Sequence, residues 1–305
     1  MLSAKPWKAD ALIRLMLSVI ICIYAGSVVG SILRYGGAGA KVSSRLFYPL
    51  AALALIGLGG TLVLVHKPWR LETIRLRLVL LLICAYGGLF LGAWAQHYAG
   101  TGAQDASIGH MILATLSFQG ASLILIARFL RDQRVSWAEG FGLTNHRRQA
   151  LLLGLLAAVI FLPLGWALQQ VSALAMTHLP FWHGEPQEQL PVHALRISVS
   201  WGGRLALGAV AILLAPVAEE MLFRGILYPA IKQAGFPRLA LWGTSLLFAA
   251  VHMNAVTFLP LAVLALLLTG LYEWTNNLLA SIAAHVLFNT LNFAALLLIQ
   301  RYWGV

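Results

Sequence analysis

Charge is what this sequence has least of. Only 10% of its 305 residues are Asp, Glu, Lys or Arg, whereas 60% are hydrophobic. Together with a mean hydropathy of +0.82, that excludes an ordinary soluble domain and indicates a polytopic helical membrane protein. Acidic groups are the scarcest, 10 Asp+Glu against 21 Lys+Arg, for a net charge of +11. The basic residues lie in short loops between apolar runs, not on one soluble surface. This points to a lipid bilayer and its anionic headgroups as partners, and not to nucleic acid. There are only 2 cysteines, Cys22 and Cys84, both within apolar runs, so neither a disulfide framework nor a thiol metal motif is expected. No Gly/Ser or Pro linker separates large domains, and no repeat of fixed period is present. The first apolar segment exceeds a signal h-region and lacks a small-residue cleavage site, which suggests a retained signal-anchor.

A membrane span needs about 20 mostly apolar residues. Such stretches lie near 11–33, 47–66, 78–96, 108–130, 150–174, 204–222, 239–256, 257–273 and 278–299. The expected fold is an all-α integral membrane bundle of about eight or nine transmembrane helices. Residues 1–149 form its N-terminal helices with a cytoplasmic interfacial loop, and 150–305 its C-terminal transmembrane core. Lys5, Lys8 and Arg14 precede the first span, Lys67, Arg70, Arg75 and Arg77 follow the second, and Arg128, Arg131, Arg134, Arg147 and Arg148 flank the loop after the fourth. The loops at 97–107 and 175–195 carry almost no Lys or Arg. By the positive-inside rule the N-terminus is cytoplasmic. Arg34, Lys41 and Arg45 run against that assignment. His183, Glu185 and Glu188 fall in a polar loop without ligand spacing and read as solvated.

The few intramembrane ionisable groups gather late in the chain. Two carboxylates and an arginine, Glu219, Glu220 and Arg224, follow the apolar run 205–214. Glu220 and Arg224 stand at i, i+4 and can pair on one helix face. Pro216 deletes a backbone hydrogen bond just before them and favours a kink or local opening. His252 follows Phe248 at i+4, and Asn289 follows His285 in the same way, with Asn292 extending that polar stripe. Each such group is costly in an apolar core unless it meets a partner or water, so convergence on one hydrated cavity is the economical account.

A carboxylate desolvated by apolar neighbours serves as a general base near neutral pH. Glu219 is the candidate, with a histidine to hold the same water. A second histidine with an amide one turn on offers donors for a developing oxyanion. Ser245 and Ser281 flank the clusters, but neither lies in a Gly-x-Ser-x-Gly elbow, so an activated water is preferred to an acyl-enzyme. No His-Glu-x-x-His motif is present. A zinc ion bound by Glu219, His252 and His285 from separate helices is the alternative within the same class. A non-catalytic scaffold, immunity factor or transporter is the alternative outside it.

Glu-Glu-x-x-x-Arg, Phe-x-x-x-His and His-x-x-x-Asn, in this order on successive helices, resemble the CPBP (Abi) family of intramembrane endopeptidases. That family includes the Ras-converting CAAX prenyl endopeptidase and bacterial bacteriocin-immunity proteins. The resemblance spans roughly 204–292, includes Phe223-Arg224-Gly225, and extends to Phe141-Gly142-Leu143 as a short element preceding the family core. It implies a metal-free, glutamate-dependent endopeptidase acting on a membrane-associated protein or peptide. Glu219 and His252 would activate water, His285 and Asn289 would stabilise the oxyanion, and Glu220 and Arg224 would support them. A prenylated substrate is not implied.

At 1.5 Å per residue, Glu219 lies about 22 Å from a helix start at Arg204, and His285 about 10 Å from Leu278. In antiparallel helices both fall in the inner half of a ~30 Å hydrocarbon core. His252, about 20 Å from Leu239, comes out deeper than either. Topology is directly testable: reporters fused within 100–106 and within 135–145 are expected on opposite sides of the membrane. An external 131–149 loop would reverse the assigned orientation.

Overall fold

The computed structural model describes residues 2–35, 44–66, 80, 83–84, 91, 113, 115–178 and 201–303. Most of the expected span near 78–96, most of the start of the one near 108–130, and the loop carrying His183, Glu185 and Glu188 lie outside them. Every regular element among the described residues is helical, so the all-α membrane bundle is borne out. Six of the described helices are long and apolar enough to cross a membrane. The chain divides into two compact units, Ala9–Phe129, and Met1–Lys8 with Leu130–Val305. The interfacial segment 131–149 and the N-terminal residues thus group with the C-terminal helices, whereas the sequence suggests a division at 150.

In the first unit, α1 (Ala9–Tyr35) packs on α2 (Ser44–His66). Val28, Phe47, Ala51 and Ala54 form one buried cluster, and Ile21, Leu58 and Val65 another. A π-helical turn, Leu116–Gly120, leads into α3 (Ala121–Gln133).

The second unit holds the polar motifs. Its short α4 (Trp137–Phe141) starts at a reciprocal cap, in which Ser136 Oγ accepts from Glu139 N–H and the Glu139 carboxylate accepts from Ser136 N–H. The Ser136 hydroxyl and N–H hold the Glu139 carboxyl below its ordinary range. α4 ends at Gly142, whose φ of +67° and approach to the Asn276 carbonyl leave no room for a side chain. α5 (Arg147–Thr177) is about 46 Å long at 1.5 Å per residue, ample for the membrane. Its Ala150, Gly154 and Ala158 make a stripe of small residues. This stripe and Phe161 meet Leu264, Leu268 and Leu271 of α8 (Ala255–Thr275) and Ala280 and Ala284 of α9 (Leu278–Trp303). Small residues let helices approach where lipid offers no hydrophobic drive. Leu152, Leu156, Val159 and Ile160 point outward, as a helix facing acyl chains requires.

Residues 201–233 form one continuous helical rod, α6, built of alternating segments. Trp201–Ala209, Ala215–Glu220 and Tyr228–Gln233 are α-helical, while Val210–Leu214 and Met221–Leu227 are π-helical. The rod runs past Arg224 to Gln233, eleven residues beyond the span read from sequence. α7 (Pro237–Ala250) follows, and its 14 residues fall short of a full span. The break before α8 lies at 251–254 instead of 256–257, because Asn254 caps α8 by accepting from Thr257 N–H at 3.0 Å. Residues 2–8 bind the second unit. Gln233 pairs with the Lys5 main chain, and Ser3 N–H donates to Asn276 at 3.2 Å. Burial lowers the Lys5 ammonium pKa.

A Cβ on Gly154 would stand 2.2 Å from the Ala280 carbonyl oxygen. Gly154→Ala therefore forces α5 and α9 apart and is expected to cost about 1–3 kcal/mol. Thermal unfolding in detergent should report a clear fall for it. Gly202→Ala, where a Cβ meets nothing within 4 Å, should leave the midpoint in place.

Candidate active site

Pro216 sets the local geometry of the carboxylate pair. It has no N–H, and the preceding turn widens into the π segment Val210–Leu214, where Ala215 N–H returns five residues to the Val210 carbonyl. The next bond in that register runs from residue 216 to Ala211, and a proline cannot make it. Asn289 Nδ2 of α9 fills the vacancy, donating to the Ala211 carbonyl at 2.8 Å. The opening expected at Pro216 is present as this π turn.

Glu220 and Glu219 follow, both buried. Glu220 Oε1 accepts from Arg224 Nη1 at 2.7 Å and from His285 Nδ1 at 2.9 Å. Its other oxygen, Oε2, is buried and meets no donor among the described residues. Glu220 and Arg224 are 0% and 2% exposed, so the pair is fully withdrawn from solvent. Arg224 also donates from Nη2 to the Ala265 carbonyl of α8 at 3.3 Å, and its guanidinium carbon lies 4.3 Å from the Phe248 ring centroid. That is cation–π distance. Arg224 feels the charges of both Glu220 and Glu219.

Phe248, fully buried on α7, is the hub. Its ring centroid lies 5.4 Å from Phe223, 5.7 Å from His285 and 5.0 Å from His252. His252 sits in the turn after α7, not on a continuing helix as the sequence suggests. The rise-per-residue depth given for it above therefore does not carry over. Its i+4 relation to Phe248 survives, and its Nδ1 lies 2.7 Å from the Phe248 carbonyl. A carbonyl only accepts, so Nδ1 carries a proton, which in the neutral ring leaves the lone pair on Nε2. Ser245, one turn before Phe248, has a buried hydroxyl with no partner among the described residues.

Glu220, Arg224, His285, Phe248 and His252 thus meet, and Glu219 is buried beside them on the same rod. His285 and Asn289 share a face of α9 but go to different partners, Glu220 and Ala211. Asn292 turns to α5, accepting from Trp166 Nε1 at 2.9 Å. Among the described residues no three His, Cys, Asp or Glu side chains stand together as a metal-holding group. Sequence reasoning missed two features, the Phe248 hub and the clasp on Ala211. The absence of an N–H on Pro216 was the signal for the second.

Residues 201–291 match the family model for type II CAAX prenyl endopeptidase, Rce1-like. This stretch is similar to the Rce1-like type II CAAX prenyl endopeptidases. The motif resemblance noted at 204–292 is thereby borne out over almost the same stretch. The uncharacterized protein YpbD of Bacillus subtilis (strain 168) is 38% identical over 81 residues, which are 25% of this chain and 39% of that protein. The chain therefore spans well under two thirds of the relative. No solved structure matches it. The matched family is one of endopeptidases, and the six long apolar helices fit an integral membrane protein.

Removing one partner from a buried ion pair leaves a stranded charge, at about 3–5 kcal/mol. Arg224→Met strips Glu220 of its guanidinium while keeping bulk over Phe248. It is expected to unfold at markedly lower temperature or denaturant in detergent, by roughly that amount, and a midpoint equal to wild type would show the pair to be inessential.

Proposed function

We propose that the protein is a metal-free intramembrane endopeptidase that hydrolyses a peptide bond of a membrane-associated protein or peptide. The observation that carries this reading is the buried cluster of Glu220, Arg224 and His285 around Phe248, lying inside the stretch similar to the CAAX endopeptidases. Nothing in that similarity requires a prenyl group on the substrate.

Glu219 acts as general base, with His252 Nε2 sharing the same water. The water oxygen attacks the scissile carbonyl carbon while its proton passes to Glu219. The resulting oxyanion takes hydrogen bonds from two sources. Asn289 has a second amide hydrogen beyond the one given to Ala211, and His285, when doubly protonated against Glu220, offers Nε2–H. The tetrahedral intermediate collapses as the C–N bond breaks. The proton held on Glu219 goes to the leaving nitrogen, giving a carboxylic acid and an amine and restoring the carboxylate. Glu220 and Arg224 fix His285 and the rod that carries Glu219. By the Lys/Arg distribution, the N-terminus and the site's mouth face the cytoplasm of a bacterium.

Glu219→Gln keeps the shape of the base and removes its function, so it is expected to abolish cleavage with little loss of folded protein. Membranes containing wild type or Glu219→Gln should be compared by proteomics for C-terminal fragments. Fragments present only with wild type support the reading and name the substrate, while identical fragment sets favour a non-catalytic scaffold. Purified wild type should stay active after stringent chelation. Stoichiometric zinc that is required for activity and lost in His285→Ala would replace the metal-free mechanism with a zinc one.

A further inference from the structure

The two π segments bracket the carboxylate pair, and each adjoins a proline that cannot donate. In the second segment Tyr228 N–H returns five residues to the Phe223 carbonyl, and the next residue, Pro229, has no N–H. Within that segment the Gly225 carbonyl accepts from Trp7 Nε1 at 3.3 Å. Asn289 donates to Ala211 on the other side of Glu219 and Glu220. A carbonyl in each π segment of the motif-bearing rod thus accepts from a side chain elsewhere in the chain.

We propose that Trp7 is a positioning residue for the active site, holding the π segment Met221–Leu227 and with it Arg224. A π segment accommodates one extra residue, and its collapse to α geometry turns everything beyond the adjustment by about 100°. Such a turn would swing Arg224 away from Glu220, Phe248 and Ala265. Trp7 is itself anchored to resist it. Its ring lies against Gly140, where a Cβ would come within 3.3 Å of it. Residues 2–5 are tied to Glu273, Asn276 and Gln233. Phe141 covers the other side of Gly225, at 2.4 Å from where its Cβ would be. The catalytic consequence rests on the endopeptidase reading above, but the positioning itself does not.

Trp7→Phe deletes the donor and keeps an aromatic ring against Gly140. In the full-length protein, Trp7→Phe is expected to lower kcat roughly 10-fold, and at most about 10²-fold as for a displaced catalytic geometry. KM should stay within about twofold, since the contact is made to the enzyme and not to substrate. The imidazole ¹⁵N resonances of His285, assigned with His285→Gln, give a readout independent of cleavage, and they should shift in Trp7→Phe. A His285 signal unmoved by Trp7→Phe overturns the proposal. A shifted signal in a protein whose wild type cleaves nothing supports the positioning role and removes the endopeptidase reading instead.

Discussion

A carboxylate with no water around it has to be answered by donors, and Glu220 is answered twice on one oxygen. Arg224 comes from one turn further along the same rod and His285 from α9, so the pairing joins two helices whose sequences are 65 residues apart. Phe248 fills the remaining space beside the guanidinium, and the Ala265 carbonyl takes another of its hydrogens. α6, α7, α8 and α9 each contribute to neutralising or covering one buried charge pair. In lipid this is the arrangement that lets such a pair exist at all, since unsatisfied polar groups are costly there.

The second organising constraint is the proline. In a soluble protein, water would satisfy the carbonyl that Pro216 leaves without a backbone partner. In a membrane-spanning rod the protein supplies that donor itself. Asn289 does so at Ala211, and Trp7 donates to Gly225 in the second π segment, both from distant parts of the chain. The carboxylate pair therefore sits between two widened turns that are each closed from outside the rod.

Much of this was legible in the amino-acid order. Long apolar runs gave α1, α2, α5, α8 and α9 to within a few residues, because a 20-residue apolar stretch in lipid has no competing fold. The i, i+4 relations Glu220–Arg224 and Phe248–His252 were also legible, since they follow from helix geometry and near-helical turns. Partners across helices were not. That His285 faces Glu220 while Asn289, one turn on, faces Ala211 depends on how α9 crosses α6, and shared face alone suggests a shared target. The stop of α7 at Ala250 was obscured by the apolar residues on either side. The turn that follows, with Met253 at φ +50°, leads to Asn254, whose capping of α8 is local and easily read as one more polar residue in a hydrophobic stretch.

Phe141 and Trp7, described as closing over Gly225, bear on what counts as the unit of this protein. The stretch similar to the CAAX endopeptidases begins at 201, yet the glycine after its arginine is covered by Phe141, which precedes that stretch, and by Trp7 near the N-terminus. Gly142 and Asn145 likewise clasp the turn between α8 and α9. The motif is consequently not modular. Transplanted alone into another membrane scaffold, residues 201–291 would bring every acid, base and amide of the motif and leave behind the groups that complete their backbone. A change within the matched stretch is accordingly felt against Phe141, Asn145 and Trp7, which lie outside it.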